Sequence, residues 1–317
     1  MKKAVRLANP AIKRNPVVKA FRKHWMLYSM ALPAVILLIV FNYLPMVGIV
    51  MAFQDLDYSK GIFTSPFVGL KNFEFLFASS MIWDITRNTI LYNVAFIIVN
   101  TVLSVGLALM INELTNKTFA KVIQTILIMP FFLSTVVLAM IVYAFLAYNY
   151  GFANTLLKGL GLDPQNWYNM PDFWPGFLIF VNAWRGIGFS SVTYTAVISG
   201  ISQEYYEAAT LDGASRWQQI RYITLPHLKT ILCINLINAV GGMFRSDFGL
   251  FYTVTRNSGA LYSTTQTLDV YIYNALQSMT NLGMTTAAGL YQSVVGFILV
   301  LVANKIIKTI DSDSAMF

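Results

Sequence analysis

Charge is scarce in this chain: charged residues fill 11% of its 317 positions, and no acidic residue occurs before Asp55. A soluble domain of this length needs a charged surface, so a soluble fold is excluded by the composition that also gives 56% hydrophobic residues and a mean hydropathy of +0.59. Cysteine is nearly absent. Cys233 stands alone in an apolar run, which excludes an intramolecular disulfide framework and a cysteine metal site and fits a small packing residue. His24 and His227 are far apart and have no ligand-spaced neighbour, so no metal site is expected. A phosphate-binding loop of the form GxxxxGK[ST] is missing, so nucleotide hydrolysis is not expected of this chain. No cluster of carboxylates or histidines near one interface supports a membrane-embedded transferase.

What the chain has instead is apolar length. Segments at about 25–53, 84–111, 122–148, 175–201, 228–255 and 284–307 are each long enough to cross a bilayer, for which about 20 mainly apolar residues suffice. The expected fold class is an all-α membrane protein with six transmembrane helices and cytoplasmic N and C termini. The orientation follows from Lys2, Lys3, Arg6, Lys13, Arg14, Lys19, Arg22 and Lys23, which crowd the first residues and hold them inside. Lys117, Lys121, Arg216, Arg221, Lys305 and Lys308 fall in the loops and tail that the same count places inside. The expected organisation is a basic cytoplasmic tail, 1–24, a single transmembrane domain, 25–310, and a C-terminal tail, 311–317. The run after the tail is too long for the core of a cleaved signal. Outer connections are expected at 54–83, 149–174 and 256–283. Trp167, Tyr168, Phe173 and Trp174 fit an interfacial belt, and 264–279 reads as a short amphipathic helix.

The loop at 202–227 is a polar island between the fourth and fifth segments. Its first part, 203–211, reads as a short helix with Tyr206, Ala209 and Thr210 on one side and Glu204, Glu207 and Ala208 near another. Gly213 ends it, because glycine accepts the left-handed backbone that follows a helix. A second short helix, 215–223, follows, and Pro226 suits the first turn of the next one, where its missing N–H costs nothing.

Polar residues inside apolar helices must face protein or water. Asn93 and Asn100 share a face of the second segment, and Asn235 and Asn238 share one of the fifth. Trp184, Arg185 and Tyr194 fall in the fourth, and Arg245 and Asp247 in the fifth. Two residues apart, Arg245 and Asp247 cannot pair on a regular helix, so each needs a partner elsewhere or the helix breaks near Ser246. These nine residues are the candidate substrate path. Aromatic rings among them suit the faces of sugars, while Asn and Arg suit hydroxyls.

Glu207-Ala208-Ala209, three residues, Gly213, nine residues, Ile223, one residue, Leu225-Pro226 resembles the cytoplasmic coupling motif of ABC-type importer permeases. The run 25–53 and the stretches Asp247-Phe-Gly-Leu-Phe-Tyr252 and Ala288-Gly-Leu-Tyr-Gln-Ser-Val-Val-Gly296 are similar to permeases that import complex sugars. The resemblance implies a coupling helix, with Glu204, Glu207, Ala208, Ala209, Asp212, Gly213, Ile223, Leu225 and Pro226 serving contact with an ATPase. It implies oligosaccharide cargo, acidic sugars included, with other ABC cargo such as peptides, amino acids or anions as the rival, and a channel gated without ATP leaves the motif unexplained. Its implied partners are a second permease, two ATPase subunits that carry ATP and Mg, and an extracellular solute-binding protein that Arg256, Asn257 and Tyr262 would meet. The implied location is the bacterial inner membrane, with no cofactor in this chain and no nucleic acid partner.

Overall fold

The computed structural model describes residues 23–310 except 58, 79, 279 and 280. The basic tail, apart from Lys23 and His24, and the tail 311–317 lie outside the described residues. The chain divides into two units, 1–50 and 51–317. In the first, helix α1 (Trp25–Leu38) contains Pro33 and continues through a π turn, Ile39–Tyr43.

Among the described residues the second unit is built of helices joined by turns and loops, and its one β feature is an isolated bridge between Gln54 and Phe67. Its long elements are α2 (Ser80–Glu113), α3 (Lys117–Ile128), α4 (Thr135–Leu146), α5 (Phe152–Gly159) and α6 (Trp174–Ser199). After these come α7 (Gln203–Leu211), α8 (Arg216–Gln219), α9 (Leu225–Gly241), α10 (Leu268–Gln277) and α11 (Leu282–Ile310). Among the described residues, helices at 25–53, 81–113, 216–241 and 282–306 are long and apolar enough to cross a membrane. At 34 residues, α2 is about 51 Å long at 1.5 Å per residue, well beyond a hydrocarbon core of about 30 Å.

Two of the expected straight spans are not straight. The third divides into 117–132 and 135–146, which meet at 96°. Pro130 sits in the turn between them and lacks the N–H that would continue the ladder. Leu133 and Ser134 are then extended, and the Ser134 hydroxyl accepts the N–H of Val137 to start α4 afresh. The fifth expected span, 228–255, is helical only as far as Gly241. Residues 242–247 are irregular before a π-helical turn, Gly249–Val254. The fourth is one helix of 26 residues, but its polar content keeps it off the set that qualifies by apolarity.

The main core is where α2, α4, α6 and the π turn meet. Tyr92, Leu138, Trp174, Leu178, Phe251 and Val254 are all buried there, with the Tyr92 and Phe251 rings edge to face at 4.7 Å. Farther along α2, Ala108 packs with Tyr194, Ile198 and Leu228. Close approach of helices requires small residues. At Gly188 of α6, an added Cβ would lie 1.9 Å from the carbonyl oxygen of Leu127 in α3.

Candidate functional site

Three helices of this core leave a cavity of about 420 Å³ between them. Its polar lining includes Asn93 and Asn100 from α2, Tyr194 from α6, and Asn235 and Asn238 from α9. These are five of the nine residues chosen from sequence, drawn together from positions up to 145 apart by the packing of α2, α6 and α9. Asn235 donates to the Tyr194 hydroxyl at 3.2 Å, and Asn100 donates to Asn182 at 2.7 Å. The Oδ1 of Asn100 is buried without a hydrogen-bond partner. Asn93 and Asn238 donate to carbonyls one turn back on their own helices, at 2.8 and 3.1 Å. Phe96, Ile97 and Phe189 give the same cavity apolar walls, and Phe189 lies flat on Phe131 at 4.0 Å. An aromatic wall opposite amides and hydroxyls can take a ring with an apolar face and a polar rim. Thr101, Ser104, Ser190 and Thr193 complete the cavity's polar lining. Their hydroxyls are common enough in membrane helices that only the assembled packing distinguishes them.

Trp184, Arg185, Arg245 and Asp247 do not line this cavity. Arg185 pairs with Asp247 at 3.4 Å, a contact between α6 and the irregular stretch after α9. The helix has ended before Ser246, and Asp247 has its partner on another element, so both of the alternatives left open by the spacing of Arg245 and Asp247 occur. Asp247 also accepts the N–H of Leu250 at 3.1 Å, so its carboxylate caps the π turn. Arg245 is exposed and has no ion pair among the described residues.

Sequence reasoning missed the group that holds the break. Asp269, near the start of α10, accepts the Ser246 N–H and, at 2.7 Å, the Ser246 hydroxyl, while its other oxygen accepts Gln292 at 2.9 Å. Gln292 of α11 also donates to the carbonyl of Phe244. An isolated carboxylate among apolar residues was the available signal. Replacing Asp269 with alanine strands these donors and is expected to destabilise the protein by about 2 to 3 kcal/mol, read as a fall in unfolding temperature in detergent. Asp269→Asn keeps one acceptor oxygen and is expected to fall between the two.

The polar loop is built by local capping. The Ser202 hydroxyl accepts the Glu204 N–H to start α7. At the other end Gly213 takes φ +80°, Ala214 donates to the Ala209 carbonyl at 2.8 Å, and Gly213 donates to Thr210 at 3.1 Å. This paired closure satisfies carbonyls that the helix end leaves open. Ser215 and Gln218 then form a capping box for α8. Helix α8 does not stop before Pro226: a π turn, Ile220–Thr224, carries it into α9, with Pro226 in the first turn of α9. Ile223 and Leu225 are half-buried along this join. The hydroxyls of Tyr206 and Thr224 meet at 2.9 Å, and Gln219 donates to Thr210 at 2.9 Å, tying α7 to the helix beneath it. Glu204, Glu207, Ala208 and Asp212 remain exposed, Ala209 is half-buried, and no residue of α7 is fully buried. Tyr205, Leu211, Trp217 and Tyr222 are also exposed, Leu211 to 89%.

At the far end of the unit, Arg256 and Asn257 have left-handed backbones, with φ 56° and 46°. The polar atoms of Asn257 and Tyr262, two of the candidate contacts for a binding protein, engage Asn274. Asn257 and Asn274 exchange amide hydrogen bonds at 3.0 Å each, and the Tyr262 hydroxyl donates to Asn257 at 2.9 Å. Of the three, Arg256 alone is exposed, its guanidinium 4.0 Å above the ring of Tyr143. Nearby, burial pushes the Tyr168 phenol up to about 12, against the opposing pull of Arg256, so it is neutral at ordinary pH. Among the described residues, no three His, Cys, Asp or Glu side chains gather as a metal site would require.

Residues 100–311 match a protein family described as binding-protein-dependent transport system inner membrane component. Over 282 residues the chain is 32% identical to the polygalacturonan/rhamnogalacturonan transport system permease protein YteP of Bacillus subtilis, covering 89% of this chain and 87% of that one. Its fold is similar to a chain in the crystal structure of a bacterial ABC transporter involved in import of the acidic polysaccharide alginate. The TM-score is 0.85 and identity 32%, over 94% of this chain and all of that one. A second solved structure, a bacterial alginate ABC transporter in complex with an alginate pentasaccharide-bound periplasmic protein, matches at TM-score 0.84 and 31% identity, covering 93% and 98%.

Proposed function

This chain belongs to the family of binding-protein-dependent transport system inner membrane components, and we propose from that premise how its parts divide the work. It is an integral membrane permease of a sugar or polysaccharide ABC importer. Cargo moves by alternating access. A solute-binding protein docks outside, where Arg256 is exposed, and the sugar passes into the cavity between α2, α6 and α9. Asn93, Asn100, Tyr194, Asn235 and Asn238 meet its hydroxyls there, and Phe96 and Phe189 its ring faces. The observation that carries this reading is the convergence of those amides and rings from three helices on one cavity of about 420 Å³.

The chain crosses the bacterial inner membrane six times, with both termini and the loop 202–227 in the cytoplasm. Helix α6 is one of the crossings, and its polar residues are tolerated because they face the cavity or other helices. Helix α7 docks on one of two separate ATPase subunits, which hold ATP and Mg, and Glu207 meets a basic group on that partner. Support comes from Leu211, Tyr205, Trp217 and Tyr222, large apolar side chains left exposed around α7. Closure of the ATPase pair moves α7, and ATP supplies the differential free energy that shifts the permease between inward-open and outward-open states. A second permease, a different chain, completes the path.

Reconstitution in proteoliposomes tests this directly. With the second permease, both ATPases and the binding protein present, an acidic oligosaccharide is expected to accumulate only when ATP is supplied. Accumulation without ATPase or binding protein would overturn the reading. In the same assay the double variant Asn100→Ala and Asn238→Ala is expected to slow uptake by about fivefold to tenfold through two lost polar contacts, with ATPase subunits still bound.

A further inference from the structure

A second cavity, of about 410 Å³, lies at the end of the unit opposite the polar loop, and it shares no lining residue with the first. Tyr143, Tyr148, Asn166, Tyr168, Arg256 and Ser258 form it. Arg256 is its only cation, and the backbone there is held in a conformation that does not suit arginine. A left-handed residue other than glycine costs about 1 to 2 kcal/mol, and such outliers persist only where the surroundings impose them. Here the imposing scaffold is visible: the Asn257 N–H donates to the Tyr252 carbonyl at 2.9 Å, and the Asn257 side chain is locked to Asn274 and Tyr262.

The guanidinium carbon lies 4.0 Å from the centre of the Tyr143 ring. Arg256 also donates a hydrogen bond to the Tyr143 phenol, but a guanidinium carries five N–H donors, so one phenol leaves others in the fork that matches a carboxylate. No carboxylate of this chain lies within ion-pair distance of Arg256 among the described residues. Tyr168 does not compete, because its phenol is neutral and donates to the Val254 carbonyl at 3.3 Å. The Asn166 amide and the Tyr148 hydroxyl have no side-chain hydrogen bond among the described residues, and both border the same space.

The geometry points to a receiving subsite for the carboxylate of an acidic sugar, in which Arg256 grips a uronate and Tyr148 and Asn166 meet hydroxyls of the same ring. The subsite rests on the importer reading, since it is the first station for cargo leaving the binding protein. The acidic sugar is favoured over an acidic side chain of a docked protein. A carboxylate on a peptide would use the fork and leave the rest of a cavity this size, with its unpaired amide and hydroxyl, unfilled. A neutral sugar would leave the fork without its anion, so the subsite selects charged cargo before the central cavity is reached.

The test uses the assembled importer in lipid nanodiscs, without binding protein, and two probes: trigalacturonate and the same trisaccharide with its carboxyls reduced. Calorimetric titration is expected to give binding of the acidic probe about tenfold or more tighter than the reduced one, as loss of a charge-assisted pair of hydrogen bonds requires. Arg256→Gly accepts the left-handed backbone and is expected to remove that preference without unfolding the loop. Arg256→Lys keeps the charge without the fork and is expected to retain only part of it. Equal binding of the two probes by the native importer, or an unchanged preference in Arg256→Gly, overturns the subsite. So does an Arg256→Gly importer that loses docking of the binding protein while its sugar preference is kept, which would make Arg256 a docking residue. Failure of the native importer to accumulate any oligosaccharide with all subunits present is a separate result, and it counts against the importer reading itself.

Discussion

Uptake is expected to fall to background when Glu207→Lys and Gly213→Val are combined, with the chain still reaching the membrane. The two substitutions act on different parts of one element. Glu207 is exposed on α7, so the lysine changes the charge offered to the ATPase without disturbing any buried contact. Gly213 has φ +80° and no atom within 4 Å of where a Cβ would lie. Its substitution therefore meets no clash, and the whole effect comes from the backbone. Valine there costs about 2 kcal/mol or more, because a β-branched residue is a poor occupant of the left-handed region. The turn that pairs Ala214 with Ala209 is then lost, and α7 no longer presents a fixed surface. Gly213→Asn is the control, since asparagine tolerates that conformation, and its uptake is expected to remain near that of the native protein. The assay pairs transport in proteoliposomes with co-purification of the ATPase. Native uptake from the double variant with the complex intact would remove the docking role from this loop.

The largest effect on stability is expected at Gly188→Ala. Here the backbone is ordinary helix and the penalty is steric: the new Cβ would stand 1.9 Å from the Leu127 carbonyl oxygen, 2.3 Å from its carbonyl carbon and 2.9 Å from the nitrogen of Ile128. All three are backbone atoms of the last residues of α3, so no side chain can swing aside. The helices must separate, at about 3 kcal/mol or more, the upper end of the overpacking range. Gly186→Ala on the same helix is the matched control, because the nearest atom to its Cβ would be Asn100 Oδ1 at 3.9 Å. Membrane accumulation and thermal unfolding in detergent are expected to separate the two variants clearly. Similar unfolding temperatures would mean that α3 and α6 do not pack this closely.

Which features could be read from the sequence depended on whether their causes were local. The bounds of α7 follow from Ser202 and Gly213, and the start of α8 from Ser215 with Gln218, because each cap is made within a few residues of itself. Asn93, Asn100, Asn235 and Asn238 could be chosen because an amide inside an apolar helix must be accounted for, and the structure draws them to one cavity. The bend at Leu133 and Ser134 was hidden. Hydropathy remains high on both sides of Pro130, and hydropathy carries no direction. The partner of Asp247 was hidden for another reason: Arg185 is 62 positions away, and only the crossing of α6 with the irregular stretch brings them to 3.4 Å. The role of Gly188 was hidden too, since nothing local shows that two helices touch there. The hydrogen bonds that Asn274 makes with Asn257 and Tyr262 were hidden likewise, since they join separate elements.

The join between the polar loop and α9 has a mechanical consequence. From Arg216 to Gly241 the chain is one continuous helical run of 26 residues, with a π turn and no gap. At 1.5 Å per residue that is a shaft about 39 Å long. Helix α7 is fixed to its near end by Tyr206 with Thr224 and by Gln219 with Thr210, as a crank arm is fixed to an axle. A sideways push on the crank becomes torque on the shaft, and the torque carries Asn235 and Asn238 around with it. The shaft stops at Gly242, where the irregular stretch acts as a universal joint. Rotation of the shaft therefore need not turn the chain beyond the joint, and Asp269, which holds Ser246, limits how far that joint can yield.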